Sequence, residues 1–239
     1  MNHNVKVIEG ENFVTVEEAE NIEAQEVTAL LEQLETEYSL TEHFSVLLSD
    51  DKTQQVKNDL MQRGYHKEDK ITYVSKDLTQ HNSIASSIKC RSITCQPESE
   101  FLTLWKNTMT GSLNPPSVLD IQEQMKSVKK EIGPSYRHTC ISAFEKEEAI
   151  GIIMPHIEQG TTDEGRLFYF GLLPEFRGTG RGEELHHLAL TKLKEEFGAS
   201  SYVGTTSHQN SPMLNIFRSN GCRVTAVKNI FKKCRSGQR

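Results

Sequence analysis

Between Leu167 and Leu185 the chain reads LFYFGLLPEFRGTGRGEEL: an apolar run, a loop with glycine at every second position, and the start of a helix. The helix, expected over Gly182 to Phe197, carries Leu185, Leu188, Ala189, Leu193 and Phe197 on one face. A strand that feeds a helix through so short a loop belongs to a layered α/β or α+β architecture. The glycines at 178, 180 and 182 remove side chains, so the backbone can approach a ligand closely. Successive N–H groups then converge beside the positive end of the helix dipole. That arrangement suits a pyrophosphate, with Thr179 inside the loop and Arg177 and Arg181 adding charge. The phosphate loop GxxxxGK[ST] is absent, and the glycine spacing breaks the GxGxxG of a dinucleotide site. The remaining alternative is a glycine-rich turn that only reverses the chain.

Downstream of the helix, Ser201 to Thr206 reads as a strand, Ser211 to Asn220 as a helix and Arg223 to Phe231 as a final strand. Upstream, His138 to Phe144 and Ala149 to Ile157 flank an acidic turn and read as a hairpin. Two helices precede it, Glu98 to Met109 and Val118 to Ile132. The N-terminal third alternates as well. Strands are expected at Phe13–Val16, His43–Leu48 and Tyr65–Lys76, with helices at Ala19–Tyr38 and Thr53–Arg63. The polar stretch 77–97 reads as a linker. The expectation is a 1–80 subdomain, an 81–97 linker and a 98–234 domain. A weak internal likeness links LMQRGYHKEDKITYVSK (60–76) with IFRSNGCRVTAVKNIFK (216–232), each a helix end, a glycine and a strand.

The segment LLPEFRGTGRG (172–182) resembles the acetyl-CoA signature of the GNAT superfamily, [Q/R]-x-x-G-x-[G/A] after a strand. Arg177, Gly180 and Gly182 stand at the signature positions. A second block, NSPMLNIFRSNGC (210–222), is similar to that superfamily's later motif, with Asn210, Phe217 and Gly221 in register. The resemblance covers roughly residues 98–232. It implies a mixed, mostly antiparallel twisted sheet flanked by helices. It also implies a strand that splays open beside the loop, with Leu172 and Leu173 offering backbone hydrogen bonds to the pantetheine arm. The cofactor set it implies is Leu172, Leu173, Arg177, Gly178, Thr179, Gly180, Arg181, Gly182, Asn210 and Phe217, holding acetyl-CoA without a metal. Three departures stand out. Phe217 replaces the tyrosine that protonates the leaving thiolate in many members, Met213 replaces a small residue, and Cys222 replaces an aromatic one.

Direct acetyl transfer needs a proton acceptor near the thioester. His208, just ahead of Asn210, and Glu164, at the start of the strand, are the candidates. The N-terminal 80 residues read as a degenerate GNAT-like half, or as an unrelated α/β cap. Where a glycine loop would fall they carry Glu17, Glu18, Glu20 and Glu23, which would repel a pyrophosphate. The net charge of -6 gives no general attraction to nucleic acid. No apolar run is long enough to cross a bilayer, and no secretory signal or Cys/His metal spacing is visible. The five cysteines suggest mostly buried thiols in a cytoplasmic protein. The expected function is transfer of acetyl from acetyl-CoA to a primary amine of a small molecule or peptide, with homodimerisation left open. The alternatives are a non-catalytic acyl-CoA sensor and an interaction module with a vestigial loop.

Overall fold

The computed structural model describes residues 5–10, 12–117 and 119–235, and forms two compact units. Unit 1 is Met1–Thr72 with Ala226–Arg239, and unit 2 is Tyr73–Thr225. The tail from Ala226, expected with the 98–234 domain, therefore clusters with the N-terminal residues.

Unit 1 contains β1 (Lys6–Glu9), β2 (Phe13–Glu17), α1 (Ala24–Glu37), β3 (His43–Leu48), α2 (Asp50–Gln62), the start of β4 (His66–Asp77) and most of β10 (Arg223–Cys234). Strand β1 is antiparallel to β2, and β3 to β10. Strands β2 and β3 are parallel and pair from Phe13↔His43 to Val16↔Val46. Apolar residues of α1 and α2 at helical spacing (Val27, Leu31, Leu34, Val56, Leu60) pack on Val14, Val16, Phe44, Val46 and Leu48. The helix expected over Ala19–Tyr38 is broken. A 3₁₀ turn at Ala19–Asn21 leaves Ile22 buried and extended, and α1 starts afresh behind Glu23, whose N–H donates to Glu26 Oε2 at 2.9 Å. Helix α2 begins three residues before Thr53, because the Ser49 hydroxyl accepts from Lys52 N at 3.3 Å.

Unit 2 contains β5 (Lys89–Ser92), α3 (Glu98–Thr108), α4 (Ile121–Ile132), α5 (Tyr136–Thr139), β6 (Ile141–Glu145), β7 (Glu148–Ile157), β8 (Glu164–Leu172), α6 (Arg181–Glu195), β9 (Ser201–Ser207) and α7 (Ser211–Ser219). The strand order is β4-β9-β8-β7-β6-β5, with β5 through β8 antiparallel and β8 parallel to β9. The 81–97 segment, expected as a linker, contains β5, paired from Lys89↔Phe144 to Ser92↔Ile141. Helix α4 starts at Ile121, where the Asp120 carboxylate accepts from Gln122 N and Glu123 N at 2.8 and 2.9 Å; Val118 lies outside the described residues. Strand β6 starts at Ile141 rather than His138, since Tyr136–Thr139 forms a helical turn closed by Cys140 N–H donating to the Tyr136 carbonyl at 2.9 Å. The β6–β7 hairpin turns on Lys146 (φ 48°) and Glu147 (φ 65°), both in the left-handed region without a glycine.

Two apolar layers position the site. Phe101, Trp105 and Val128 of α3 and α4 pack with Ile152 and Met154 of β7. Helix α6 packs through Leu185 and Ala189 on Ile150, Ile153 and Leu172, and through Leu190 and Leu193 on Tyr202 and Phe217. Among the described residues no helix is long and apolar enough to cross a membrane. The expectation that the thiols are mostly buried holds for Cys140 and Cys222, but Cys95 and Cys234 are exposed and Cys90 is half-buried; all five are unpaired.

Candidate functional site

Strands β8 and β9 pair only where they begin, at Glu164↔Ser201 and Gly165↔Tyr202. Beyond Tyr202 they separate, although β8 runs on to Leu172 and β9 to Ser207. A cleft of about 630 Å³ fills the gap and continues to the glycine loop. It is lined on one side by β8 from Leu167 to Leu172, and on the other by Tyr202, Thr205 and Thr206. The loop supplies Gly178, Gly180 and Gly182, and α7 supplies Met213, Ile216 and Phe217.

The loop takes the conformation that its glycines permit. Gly178 and Gly180 have φ of 73° and 85°, and the space where a Cβ would stand is open at both. Gly182 differs, because a Cβ there would meet Ile216 Cδ1 at 2.7 Å, so this glycine lets α6 and α7 approach each other. Among the described residues, no protein acceptor receives the N–H groups of Gly178, Thr179, Gly180, Arg181 or Gly182. Five donors at the head of a 15-residue helix thus remain for an anion. The Thr179 hydroxyl is turned back onto the Phe176 carbonyl at 2.7 Å.

The two arginines do something other than the sequence suggests. Arg177 Nε and Nη2 donate to the Leu172 carbonyl at 3.2 and 3.1 Å, Nη2 to the Thr108 carbonyl at 3.0 Å, and Nη1 to the Gly111 carbonyl at 3.2 Å. Its guanidinium therefore ties the end of β8 to the loop after α3. Arg181 Nε donates to Glu145 Oε2 at 3.0 Å and Nη1 to Glu184 Oε2 at 3.0 Å. Both guanidiniums are thus held by the protein, Arg177 on neutral carbonyls and Arg181 on carboxylates.

The remaining expected site residues divide. Leu172 lines the cleft. The Leu173 N–H donates to the Ile150 carbonyl at 2.9 Å, away from the gap. Strand alternation then turns the N–H of Leu172 toward the gap. Asn210 lines the cleft and caps α7, its Oδ1 accepting from Met213 N at 3.2 Å. Phe217 is buried against the cleft, Met213 lines it, and Cys222 packs with Phe217 in the core. The two proton-acceptor candidates are not brought there. His208 is exposed at the end of β9 and does not line the cleft. Glu164 sits at the paired end of β8, where Arg166 Nε donates to its Oε1 at 2.8 Å. It stands eight residues from Leu172, about 26 Å along an extended strand.

Asn114, Tyr169 and Tyr202 also shape the cleft; of these, Asn114 and Tyr202 carry no motif signal, and Tyr169 reads in the sequence as a packing residue between Phe168 and Phe170. Asn114, in the loop after α3, accepts at Oδ1 from Thr206 Oγ1, Ser207 N and Asn210 Nδ2 at 3.0, 3.1 and 3.2 Å. With Arg177 holding Gly111, this loop spans the gap from the β8 side to the β9 side. The Tyr169 hydroxyl donates to the Thr108 carbonyl at 3.2 Å, on the same wall. Tyr202, 1% exposed, lies at the apex of the gap, with its hydroxyl 3.3 Å from Nε2 of the fully buried His186. Burial holds the His186 imidazole neutral, its pKa lowered to about 3, and raises the Tyr202 phenol well above its usual value. The one sequence signal for Tyr202 is Gly204 two residues on, since a Cβ there would meet the Tyr202 hydroxyl at 2.3 Å.

The sequence profile of the Acetyltransferase (GNAT) family matches residues 100–222. No curated protein sequence matches the chain. Among solved structures, the fold is similar to a GCN5-related N-acetyltransferase from Sphaerobacter thermophilus (TM-score 0.64, 14% identity, covering 96% of this chain and 76% of that one). It is also similar to a putative GNAT-family acetyltransferase from Novosphingobium aromaticivorans (0.58, 11%, 99% and 91%) and to a tandem GNAT protein of the clavulanic acid biosynthesis pathway (0.58, 10%, 98% and 79%). The large, mostly antiparallel sheet with flanking helices is the architecture that these proteins share.

Proposed function

Because this chain belongs to the GNAT acetyltransferase family, we propose that it transfers acetyl from acetyl-CoA to a primary amine of a small molecule or peptide. The observation that carries this reading is the join of two features in one cleft: a parallel strand pair that opens after two residues, and five unengaged N–H groups at its mouth. The backbone of Gly178 to Gly182 would hold the pyrophosphate, with the open space over Gly178 and Gly180 receiving it. The gap would take the pantetheine arm as an extra strand, meeting the N–H of Leu172. Acetyl-CoA brings the activated acyl group, and the protein supplies position and exclusion of water. The cleft is also lined by Thr108, Leu113, Asn114, Thr205 and Thr206, which are uncharged. The acceptor amine would be oriented there by hydroxyl and amide groups.

Unit 1 is, on this reading, a degenerate half of the same fold. Its parallel pair β2–β3 stays closed through four registered positions, and the turn after β2 carries Glu17, Glu18, Glu20 and Glu23 in place of glycines. Two helix ends support a common plan. Tyr65 N–H donates to the Leu60 carbonyl and Cys222 N–H to the Phe217 carbonyl, both at 2.9 Å, each just after a left-handed glycine. The similar clavulanic acid pathway protein is itself a tandem GNAT. The five unpaired cysteines suit the cytoplasm.

A second reading, an acyl-CoA sensor without turnover, is favoured by Phe217 alone, which offers no proton to a leaving thiolate. Incubation with acetyl-CoA and a panel of amines, with released thiol followed by a colorimetric reagent, separates the two. Amine-dependent release of CoA supports the transferase; binding without release from any amine supports the sensor.

A further inference from the structure

The proton that a departing thiolate needs has another source in this cleft. Tyr202 stands at the last registered position of the β8–β9 pair, where the gap opens. Its ring lies along β9 over Gly204, on the strand's course toward the open end. The hydroxyl is 3.3 Å from His186 Nε2, and among the described residues His186 Nδ1 has no hydrogen-bond partner. Two tautomers satisfy that contact. With the proton on Nδ1, a buried N–H would be left without an acceptor, the rarer and costlier defect. With the proton on Nε2, the ring donates to the Tyr202 oxygen and only a lone pair is left unmet. In that tautomer the Tyr202 O–H cannot point at His186 and is free to turn into the cleft. Phe217, Phe170 and Tyr202 meet the imidazole edge-on, and it is fully buried.

We propose that Tyr202 is the proton donor to the CoA sulfur, oriented by His186, and does the work for which Phe217 has no group. The proposal rests on the acetyl-CoA reading above. The amine nitrogen forms a bond to the thioester carbonyl carbon, and the C–S bond breaks with its electron pair leaving on sulfur. Sulfur takes the Tyr202 proton, and the proton lost by the amine nitrogen returns to the Tyr202 oxygen through solvent. The sum is amine plus acetyl-CoA to acetamide plus CoA thiol. His186 acts through Tyr202 and is a positioning residue.

The test needs no known acceptor. Calorimetry compares CoA with desulfo-CoA, in which hydrogen replaces the thiol, on the wild-type protein and on Tyr202→Phe. Wild type is expected to bind CoA roughly three- to tenfold tighter at pH 8, the worth of one hydrogen bond to sulfur. The variant should bind the two ligands equally, and its affinity for desulfo-CoA should match wild type. A variant that keeps the wild-type preference overturns the proposal. So does a wild-type protein that binds CoA and desulfo-CoA alike, a result that does not depend on the variant folding. If neither ligand binds the wild type, the acetyl-CoA reading itself falls, and the proposal with it.

Discussion

Replacing Arg177 by lysine separates two roles that the sequence alone cannot distinguish. As a phosphate ligand, Arg177 would contribute charge, and lysine would largely replace it. The structure instead gives its guanidinium four hydrogen bonds to three backbone carbonyls, at 3.0 to 3.2 Å. A lysine ammonium on a single-ended stem reaches at most one of those carbonyls in similar geometry. Hydrogen bonds to charged groups contribute about 1.5–3 kcal/mol each when buried. Arg177 is only half-buried, so we discount to about 1–2 kcal/mol for each of the two carbonyls left unmet, or about 2–4 kcal/mol in all. For a chain of 239 residues that corresponds to a fall of roughly 4–16 °C in melting temperature. Differential scanning fluorimetry of Arg177→Lys against wild type reads this directly. Acetyl-CoA affinity, measured by calorimetry at two salt concentrations, should fall in the variant with no change in its salt dependence. A variant that melts and binds like wild type would refute the anchoring role and restore Arg177 as a charge contact.

Three further outcomes follow from the same geometry. Gly182→Ile should cost about 1–3 kcal/mol by overpacking against Ile216, whereas Gly182→Ala should cost under about 1, because only the end of the Ile216 side chain must move; chemical denaturation gives both values. Asn114→Ala removes the acceptor of three hydrogen bonds that fasten the loop after α3 to β9 and α7, so amide exchange in residues 109–117 should quicken by about tenfold, and unchanged exchange contradicts the strap. His186 is neutral when folded, with a pKa near 3 against 6.5 unfolded. The unfolded chain therefore binds the extra proton between those values; this contribution is whole above pH 6.5 and is lost as pH falls, by about 1.4 kcal/mol per unit. Denaturation at pH 7.5 and 5.5 should show His186→Phe losing less stability on acidification than wild type by about 1.4 kcal/mol, and equal losses contradict the burial of a neutral ring.

Much of this was legible in the sequence where local chemistry decides. The glycines at 178 and 180 were recognisable because a left-handed backbone tolerates few other residues, and β3 kept its expected bounds because His43–Leu48 is buried almost throughout. Boundaries failed where a cap outweighed periodicity, as at Glu23 and Asp120, and where pairing outweighed composition, as in β5. Side-chain placement at the site differs from the motif's suggestion for another reason. Motif position places a backbone, but Arg177 and Arg181 turn their side chains onto carbonyls and carboxylates that arrive from residues 108, 111 and 145. Titration range and proximity in sequence point to His208 and Glu164, and neither lines the cleft. Tyr202 was hidden inside an ordinary strand pattern, because nothing local to it shows that its neighbour strand departs at that residue.

The central claim is that the glycine loop binds acetyl-CoA through its backbone. Calorimetric titration of the wild-type protein and of Gly180→Leu with acetyl-CoA tests it most directly. At Gly180 the space for a side chain is open, so the variant bears only the left-handed backbone strain of about 1–2 kcal/mol and stays folded, while its side chain fills the space over the N–H groups. The account predicts a Kd in the micromolar range, about -8 kcal/mol, for wild type and no measurable heat for the variant. Absence of binding to the wild type, or equal binding to a folded variant, would contradict it.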